Sequence, residues 1–280
     1  PGTSAAVMGL FSGLHTKVAV YMLFRLWVNI FDLEPRWNWL IIALMLVSML
    51  IGAFAGLAEN SIRRVLGYQM INGMPFILIM LAFTSDDPQR ALAAGLLYTL
   101  HHMVTVGALI LTSGAIEETY ATGLLSRLSG LARRDPLVAG LFAAGSFSIV
   151  GFPPFSGMWG KILIVMEIAR AADWWAWLVI AVIVIASIGA LLSMLRVWRK
   201  VFWGKPMQHK PGELRVSGRL LAPSALLMAG SVAMFLFAGP LIDATLTSTA
   251  GLLDVAGYSA AILGENPVGV PDLTDLQGGR

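Results

Sequence analysis

Long apolar stretches separated by short polar links make up the first 242 residues of the chain. Seven of these stretches are long enough to cross a hydrocarbon core of about 30 Å as helices. We therefore predict an all-α, polytopic membrane domain over residues 1–242 and a polar C-terminal tail over residues 243–280. The predicted spans cover residues 5–24, 38–58, 65–83, 91–116, 137–169, 174–195 and 220–242.

The fifth predicted span contains a segment that no continuous helix can include. This segment, residues 151–161, reads GFPPFSGMWGK. Pro153 and Pro154 remove backbone donors and clash with the preceding turn, while Gly151 and Gly157 loosen the backbone. In a bilayer, unpaired backbone is tolerated only where protein or a water-filled cavity receives it. The segment therefore predicts a broken helix of the kind found in ion transporters.

Lys161 follows this break inside the apolar run. A lysine at that depth costs roughly 2.5–3.5 kcal/mol, so it indicates a function by default. In a low-dielectric site a lysine loses part of its preference for the charged form, and it can then accept and release a proton. The alternative is a lysine that snorkels to the interface. We favour proton transfer because the break directly precedes Lys161.

The first predicted span carries a second buried cation, Lys17, far from either end of its apolar run. Snorkelling is again the alternative to a function. His15 lies two residues earlier and points to nearly the opposite face of a helix. His15 is therefore either a packed, hydrogen-bonded side chain or an accessory member of a proton path.

The fourth predicted span contains the pair His101 and His102. Adjacent residues diverge by about 100° on a helix, so the two rings cannot easily bind one ion. Histidine titrates near neutral pH and suits a proton relay. We expect Tyr98, His102 and Thr105 to form a polar stripe on one face. The alternative is that each histidine only hydrogen-bonds a neighbouring helix.

Composition supports the membrane class and excludes several kinds of chemistry. The chain is 57% hydrophobic and 12% charged, whereas charged residues make up about 25% of a soluble protein. It has no cysteine, so disulfides and iron–sulfur ligands are excluded within it. No His/Asp/Glu set has the spacing of metal ligands, and we predict neither a metal nor a cofactor. A haem between His15 and His101 is conceivable, but no other feature favours it.

Basic and non-basic links alternate along the chain. By the positive-inside rule the basic links lie in the cytoplasm, which places the N-terminus inside and the C-terminus outside a bacterial inner membrane. Because the positive charges lie in these links, we predict no nucleic-acid binding. The basic residues are Arg63, Arg64, Arg127, Arg133, Arg134 and seven further residues between 196 and 219.

Four segments of the chain resemble the C-terminal half of the antiporter-like subunits shared by Mrp sodium/proton antiporters and respiratory complex I. They are LHTKVAVYMLFR (14–25), NSIRRVLGYQMI (60–71), LYTLHHMVTVGALILTSGAI (97–116) and GFPPFSGMWGK (151–161). The double histidine and the segments VWRKVFWG (197–204) and GYSAAILG (257–264) are similar to the D-type Mrp subunits. The chain departs from the family at Gly67 and Gln69, and at Val106, where the family often has lysine.

The resemblance implies a fourteen-helix fold of two inverted repeats, of which this chain holds helices eight to fourteen. It also implies a hydrated path at mid-membrane, in which Lys17 links two half-channels, His101 and His102 relay protons, and Lys161 serves the second half-channel. The implied partners are other membrane subunits, protons, Na⁺ and the lipid bilayer. Because the sequence begins at Pro1 rather than at a methionine, we expect it to be a fragment of a longer chain.

The sequence thus predicts a subunit of a cation/proton antiporter, a transporter rather than an enzyme. The first alternative is a proton-pumping subunit of a complex I-like quinone oxidoreductase or a membrane hydrogenase. The second is a structural spacer whose lysines pair with carboxylates of partner subunits.

Overall fold

A computed structural model of the protein describes residues 3–205, 207 and 213–264. The described residues form ten main helices. They are α1 (Ala5–Asn29), α2 (Pro35–Ala58), α3 (Ile62–Ala82), α4 (Pro88–Tyr120), α5 (Pro136–Val150), α6 (Gly157–Arg170), α7 (Trp174–Phe202), α8 (Gly218–Leu236), α9 (Ala238–Leu253) and α10 (Val255–Leu263). The all-α fold predicted from the sequence is confirmed.

Six of these helices are long and apolar enough to cross a membrane: α1, α2, α3, α4, α7 and α8. The predicted fifth span is divided between α5 and α6, which have 15 and 14 residues. The helix found at the predicted seventh span, α8, ends at Leu236. The next helix, α9, crosses the boundary predicted at residue 242. Residues 265–280 of the predicted tail lie outside the described residues.

Helix α4 is the centre of the bundle. It is 33 residues long and packs against α1, α3, α5, α6, α8 and α9. Its start is fixed by the Asp87 side chain, which accepts a hydrogen bond from the backbone N–H of Arg90 at 3.0 Å, and by Pro88 at the first helical position. Since α4 is enclosed on nearly all sides, its buried polar side chains meet groups of other helices or carbonyls of α4 itself.

The links predicted to be basic lie together at one end of the bundle. Arg63 forms an ion pair with Glu117 there, and the Arg196 guanidinium donates to the Glu59 carbonyl at 2.5 Å. At the opposite end α9 packs on α4, where the Thr249 hydroxyl donates to the Gln89 carbonyl at 3.1 Å. Links that alternate between basic and non-basic along a series of membrane spans must lie at alternate ends of the bundle, as they do here.

The predicted helix break is present between α5 and α6. Helix α5 is followed by Gly151, whose φ of +101° favours glycine. The next helix begins at Gly157, whose Cα lies so close to the Ser148 carbonyl and the His101 ring that an added methyl group would overlap both. Pro153 and Pro154 lie in the exposed turn between the two helices.

We expect Gly157→Ala to lower the stability of the assembled complex by about 1–3 kcal/mol, since overpacking forces neighbouring backbone to move. The measurement is the temperature at which the purified complex loses its monodisperse elution peak. Gly140→Ala in α5 is the matched control, because no atom lies within 4 Å of the carbon it would add. Equal melting temperatures for the two variants would contradict the packing seen at the break.

Candidate functional site

Lys17 lies in α1 just after a π-helical turn at Phe11–His15. Such turns occur frequently at functional sites. Its side chain is 5% exposed. The ammonium nitrogen lies 2.8 Å from the Ser12 carbonyl, 3.1 Å from the Thr16 hydroxyl and 2.8 Å from Nδ1 of His102. These three contacts match the three donors of an ammonium group.

His101 faces a different set of groups from its neighbour. Its Nδ1 lies 2.8 Å from the Ser156 hydroxyl and 3.2 Å from the Thr105 hydroxyl. Ser231 lies 2.8 Å from Ser156 and 3.1 Å from Ser148, and Ser148 lies 2.8 Å from Thr105. One imidazole and four hydroxyls therefore form a closed ring of contacts at hydrogen-bond distance, which we call the hydroxyl ring.

Lys161 lies in the second turn of α6 and reaches back across the break. Its ammonium nitrogen is 2.9 Å from the Val150 carbonyl and 2.8 Å from the Ser187 hydroxyl in α7, and it lies 5.0 Å from the centroid of the Phe76 ring. Within a helix the Val150 carbonyl would accept from the N–H of the residue four positions later, but that residue is Pro154, which has none. The break therefore supplies the acceptor that this half-buried lysine needs.

Aromatic rings separate these clusters. Tyr98 packs edge-on against His101, with centroids 5.1 Å apart, and stacks on Phe76 at 5.2 Å. The Phe76 ring in turn meets Lys161. Within residues 3–205, 207 and 213–264, no side-chain hydrogen bond joins Lys161 to either histidine. Proton transfer between the clusters therefore requires water or movement of a side chain.

Unpartnered polar atoms border His102 on the side of α3. The Gln69 amide nitrogen and oxygen and the Asn72 amide oxygen are buried without a hydrogen-bond partner among the described residues. The His102 ring is pressed so closely against Gly73 that an added methyl group would overlap it. Buried polar groups of this kind normally bind ordered water.

The partners of both lysines in the structure are neutral. The four ion pairs found among the described residues include neither Lys17 nor Lys161. Breaking a buried ion pair is costly because it leaves an unpaired charge. Loss of a proton from either lysine would leave no unpaired carboxylate among the described residues. The carboxylates of the spacer alternative are thus not supplied by this part of the chain.

The predicted residues fall into two groups. The structure brings Lys17, His101, His102 and Lys161 around the middle of α4, with Tyr98 and Thr105 between or beside them. His15 is exposed on the outer face of α1, with its ring 5.0 Å from that of Phe11. Thr105 lies three residues after His102 and four after His101, so it neighbours both on the helix; in the structure its hydroxyl contacts His101.

Five serines of the site were missed by the sequence reasoning. Their hydroxyl or carbonyl groups bind Lys17, His101 or Lys161, directly or through one another. Isolated serines are common at helix contacts in membranes, so only their nearness in space distinguishes them. They are Ser12, Ser148, Ser156, Ser187 and Ser231.

The described residues contain no group of three His, Cys, Asp or Glu side chains able to hold a metal ion. The polar groups around the middle of α4 are instead lysines, histidines, hydroxyls and amides. All of these can form hydrogen bonds, and the lysines and histidines also gain and lose protons. The arrangement is suited to moving protons between neutral and singly charged groups.

Comparison with known proteins finds a matching family and relatives among membrane subunits of antiporters and oxidoreductases. Residues 2–189 match the family described as "NADH:quinone oxidoreductase/Mrp antiporter, TM". Over 265 residues the chain is 27% identical to the D-type subunit of the Na⁺/H⁺ antiporter of Alkalihalophilus pseudofirmus, covering 94% of this chain and 52% of that protein. Over 262 residues it is 28% identical to the N-type subunit of the NADH-quinone oxidoreductase of Parvibaculum lavamentivorans, covering 90% and 51%.

The same fold occurs in a solved membrane complex. A chain in the structure of the Mrp complex from Dietzia sp. superposes with a TM-score of 0.85 at 32% identity, covering 94% of this chain and 56% of that one. The chain spans about half the length of the curated relatives it matches. It is a multi-pass membrane protein that belongs to the NADH:quinone oxidoreductase/Mrp antiporter family.

Proposed function

We propose that the chain is part of a subunit of a multi-subunit antiporter that exchanges Na⁺ for H⁺. The observation that carries this proposal is the set of buried proton-exchanging groups across the middle of α4. The Lys17–His102 contact lies at one end, the hydroxyl ring around His101 in the centre and Lys161 at the helix break. The similarity to the D-type subunit of a Na⁺/H⁺ antiporter supports the choice of cation.

The Lys17–His102 pair can hold one proton in either of two places. In one state the Lys17 ammonium donates to the lone pair on Nδ1 of His102, 2.8 Å away. In the other state the proton has moved to Nδ1, and the neutral amine accepts from it. Both states keep the hydrogen bond, so the proton moves without leaving an unpaired group. Water held by Gln69 and Asn72 would supply or remove the proton at Nε2 of His102.

Lys161 would serve the other half of the path. As an ammonium it is held by the Val150 carbonyl and the Ser187 hydroxyl. As a neutral amine it keeps two N–H donors, enough for both contacts. Its lone pair can then accept a hydrogen bond from water that enters the break. His101 and Tyr98 lie between the two lysines, and we propose that water beside them completes the relay. Sodium would pass through a partner subunit.

The direction of the chain in the membrane belongs to the same proposal. The basic end of the bundle, with Arg63 and Arg196, would face the cytoplasm by the positive-inside rule. The C-terminal segment after residue 242, which carries five acidic residues, would lie on the outer side of a bacterial inner membrane. Membrane subunits of the antiporter and lipid would cover the exposed apolar faces of α1 and α2.

A second candidate is a proton-pumping subunit of a complex I-like oxidoreductase. The similarity to the N-type subunit of an NADH-quinone oxidoreductase favours it, and the same relay would serve it. The two candidates differ in the source of energy: the proton gradient across the membrane in the first and electron transfer in the second.

The energy source can be tested with the complete complex reconstituted into liposomes. We expect an imposed pH gradient alone to drive uptake of radioactive sodium, with no electron donor present. Liposomes that carry a complex assembled without the subunit are the control. If protons moved only when an electron donor was oxidised, the oxidoreductase candidate would replace the antiporter.

The two lysines can be tested in the assembled complex. We expect Lys17→Ala and Lys161→Ala each to lower sodium-dependent proton movement in inverted vesicles by about 100-fold, the lower range for loss of a general acid–base group. Lys200→Ala is the control, since that lysine is exposed at the end of α7. Subunit content is measured by immunoblot. Full transport in both variants would exclude the relay. Reduced assembly of both variants, with normal transport by each complex that does assemble, would favour the structural spacer.

A further inference from the structure

Ser231 in α8 lies at the point where three parts of the chain meet. Its side chain is fully buried, with 0% exposure. The hydroxyl lies 2.8 Å from that of Ser156 and 3.1 Å from that of Ser148, and it also accepts from the backbone N–H of Ser156 at 3.3 Å. Ser148 belongs to α5 and Ser156 to the turn before α6. One serine of α8 therefore joins the two sides of the helix break.

The hydroxyl ring has a direction that depends on the proton at His101. A hydroxyl donates one hydrogen and accepts through its lone pairs. When Nδ1 carries a hydrogen, it donates to Ser156, which donates to Ser231, which donates to Ser148 and so to Thr105. When Nδ1 carries a lone pair, it accepts from Ser156 or from Thr105, and acceptance from Ser156 exchanges every donor and acceptor along this chain. The contacts along the chain are satisfied in both directions, and a reversal that keeps the His101–Ser156 contact passes through Ser231.

The break that Ser231 holds also contains the acceptor of Lys161. Val150 lies between Ser148 and Ser156, and its carbonyl binds the Lys161 ammonium at 2.9 Å. A change in hydrogen bonding at the two serines therefore acts on the segment that positions this carbonyl. His101 and Lys161 share no direct hydrogen bond among the described residues, so the ring and the break are the hydrogen-bonded connection between them, beside the packed rings of Tyr98 and Phe76.

We propose that Ser231 is a positioning residue that couples the protonation state of His101 to the broken helix and thereby to Lys161. The inference rests on the proposed proton path. Ser231 does not itself need to carry a charge. Its hydroxyl keeps the ring closed, so that both sides of the break respond together when His101 gains or loses a proton.

Another serine of the same helix provides a matched control. Ser224 is also fully buried in α8, and its hydroxyl donates to the Ala108 carbonyl of α4 at 3.1 Å. That carbonyl also accepts from the Thr112 hydroxyl at 2.8 Å, so it keeps a partner when Ser224 is replaced. Ser224 and Ser231 therefore share the helix, the burial and a contact with neighbouring helices, and only Ser231 belongs to the ring.

The test compares Ser231→Ala, Ser231→Thr and Ser224→Ala in the complete complex, measured as sodium-dependent proton movement per assembled complex. We expect Ser231→Ala to be about two- to tenfold slower, the effect of losing one net hydrogen bond of about 0.5–1.5 kcal/mol. Ser231→Thr restores a hydroxyl and is expected to return most of the wild-type rate, and Ser224→Ala to keep it.

Three results would overturn the inference. They are a wild-type rate in Ser231→Ala, an equal loss in Ser224→Ala, and a threonine variant as slow as the alanine variant. Because each comparison is made against the wild-type rate, absence of transport in the wild type would instead overturn the proposed function. The two failures are therefore distinguishable.

Discussion

The structure depends on one hydrogen bond, which joins the ammonium of Lys161 to the carbonyl of Val150. A lysine inside a bilayer needs an acceptor, and a carbonyl inside a regular helix already accepts from the N–H four residues later. Pro154 removes the N–H that would otherwise occupy the Val150 carbonyl. The partial negative charge at the C-terminal end of α5 adds to the attraction. The same break thus interrupts the helix and stabilises the buried cation.

The rest of the interior is arranged around that break by α4. Because α4 is enclosed by six helices, His101 and His102 point to different neighbours, one toward the break and one toward α1. Each histidine therefore belongs to a separate hydrogen-bonded cluster. The separation by Tyr98 and Phe76 leaves no continuous hydrogen-bonded chain between the two lysines among the described residues. In the proposed mechanism such a gap would make protons pass in steps rather than leak freely.

Much of this could be predicted from the sequence, for physical reasons that differ between residues. The six long apolar helices and the break follow from apolar length and from Pro153 and Pro154, which are local signals. Lys17 and Lys161 stand out because charge is rare in such runs. The serines do not stand out, since a serine can satisfy itself on its own helix. Predicting the partner of Thr105 would have required knowing which face of α4 meets the break. The position of α9 depends on its packing against α4, which the sequence does not reveal.

The central claim is that Lys161 releases its proton during transport rather than serving only as a fixed positive charge. Replacement by arginine tests this directly, because a guanidinium keeps its charge and its donors but does not lose a proton in proteins. The measurement is sodium-dependent proton movement by assembled complexes carrying Lys161→Arg. The proton-relay mechanism predicts a loss as complete as that of an alanine variant. A rate close to that of the wild type would show that a permanent charge at the break is enough, and would contradict the claim.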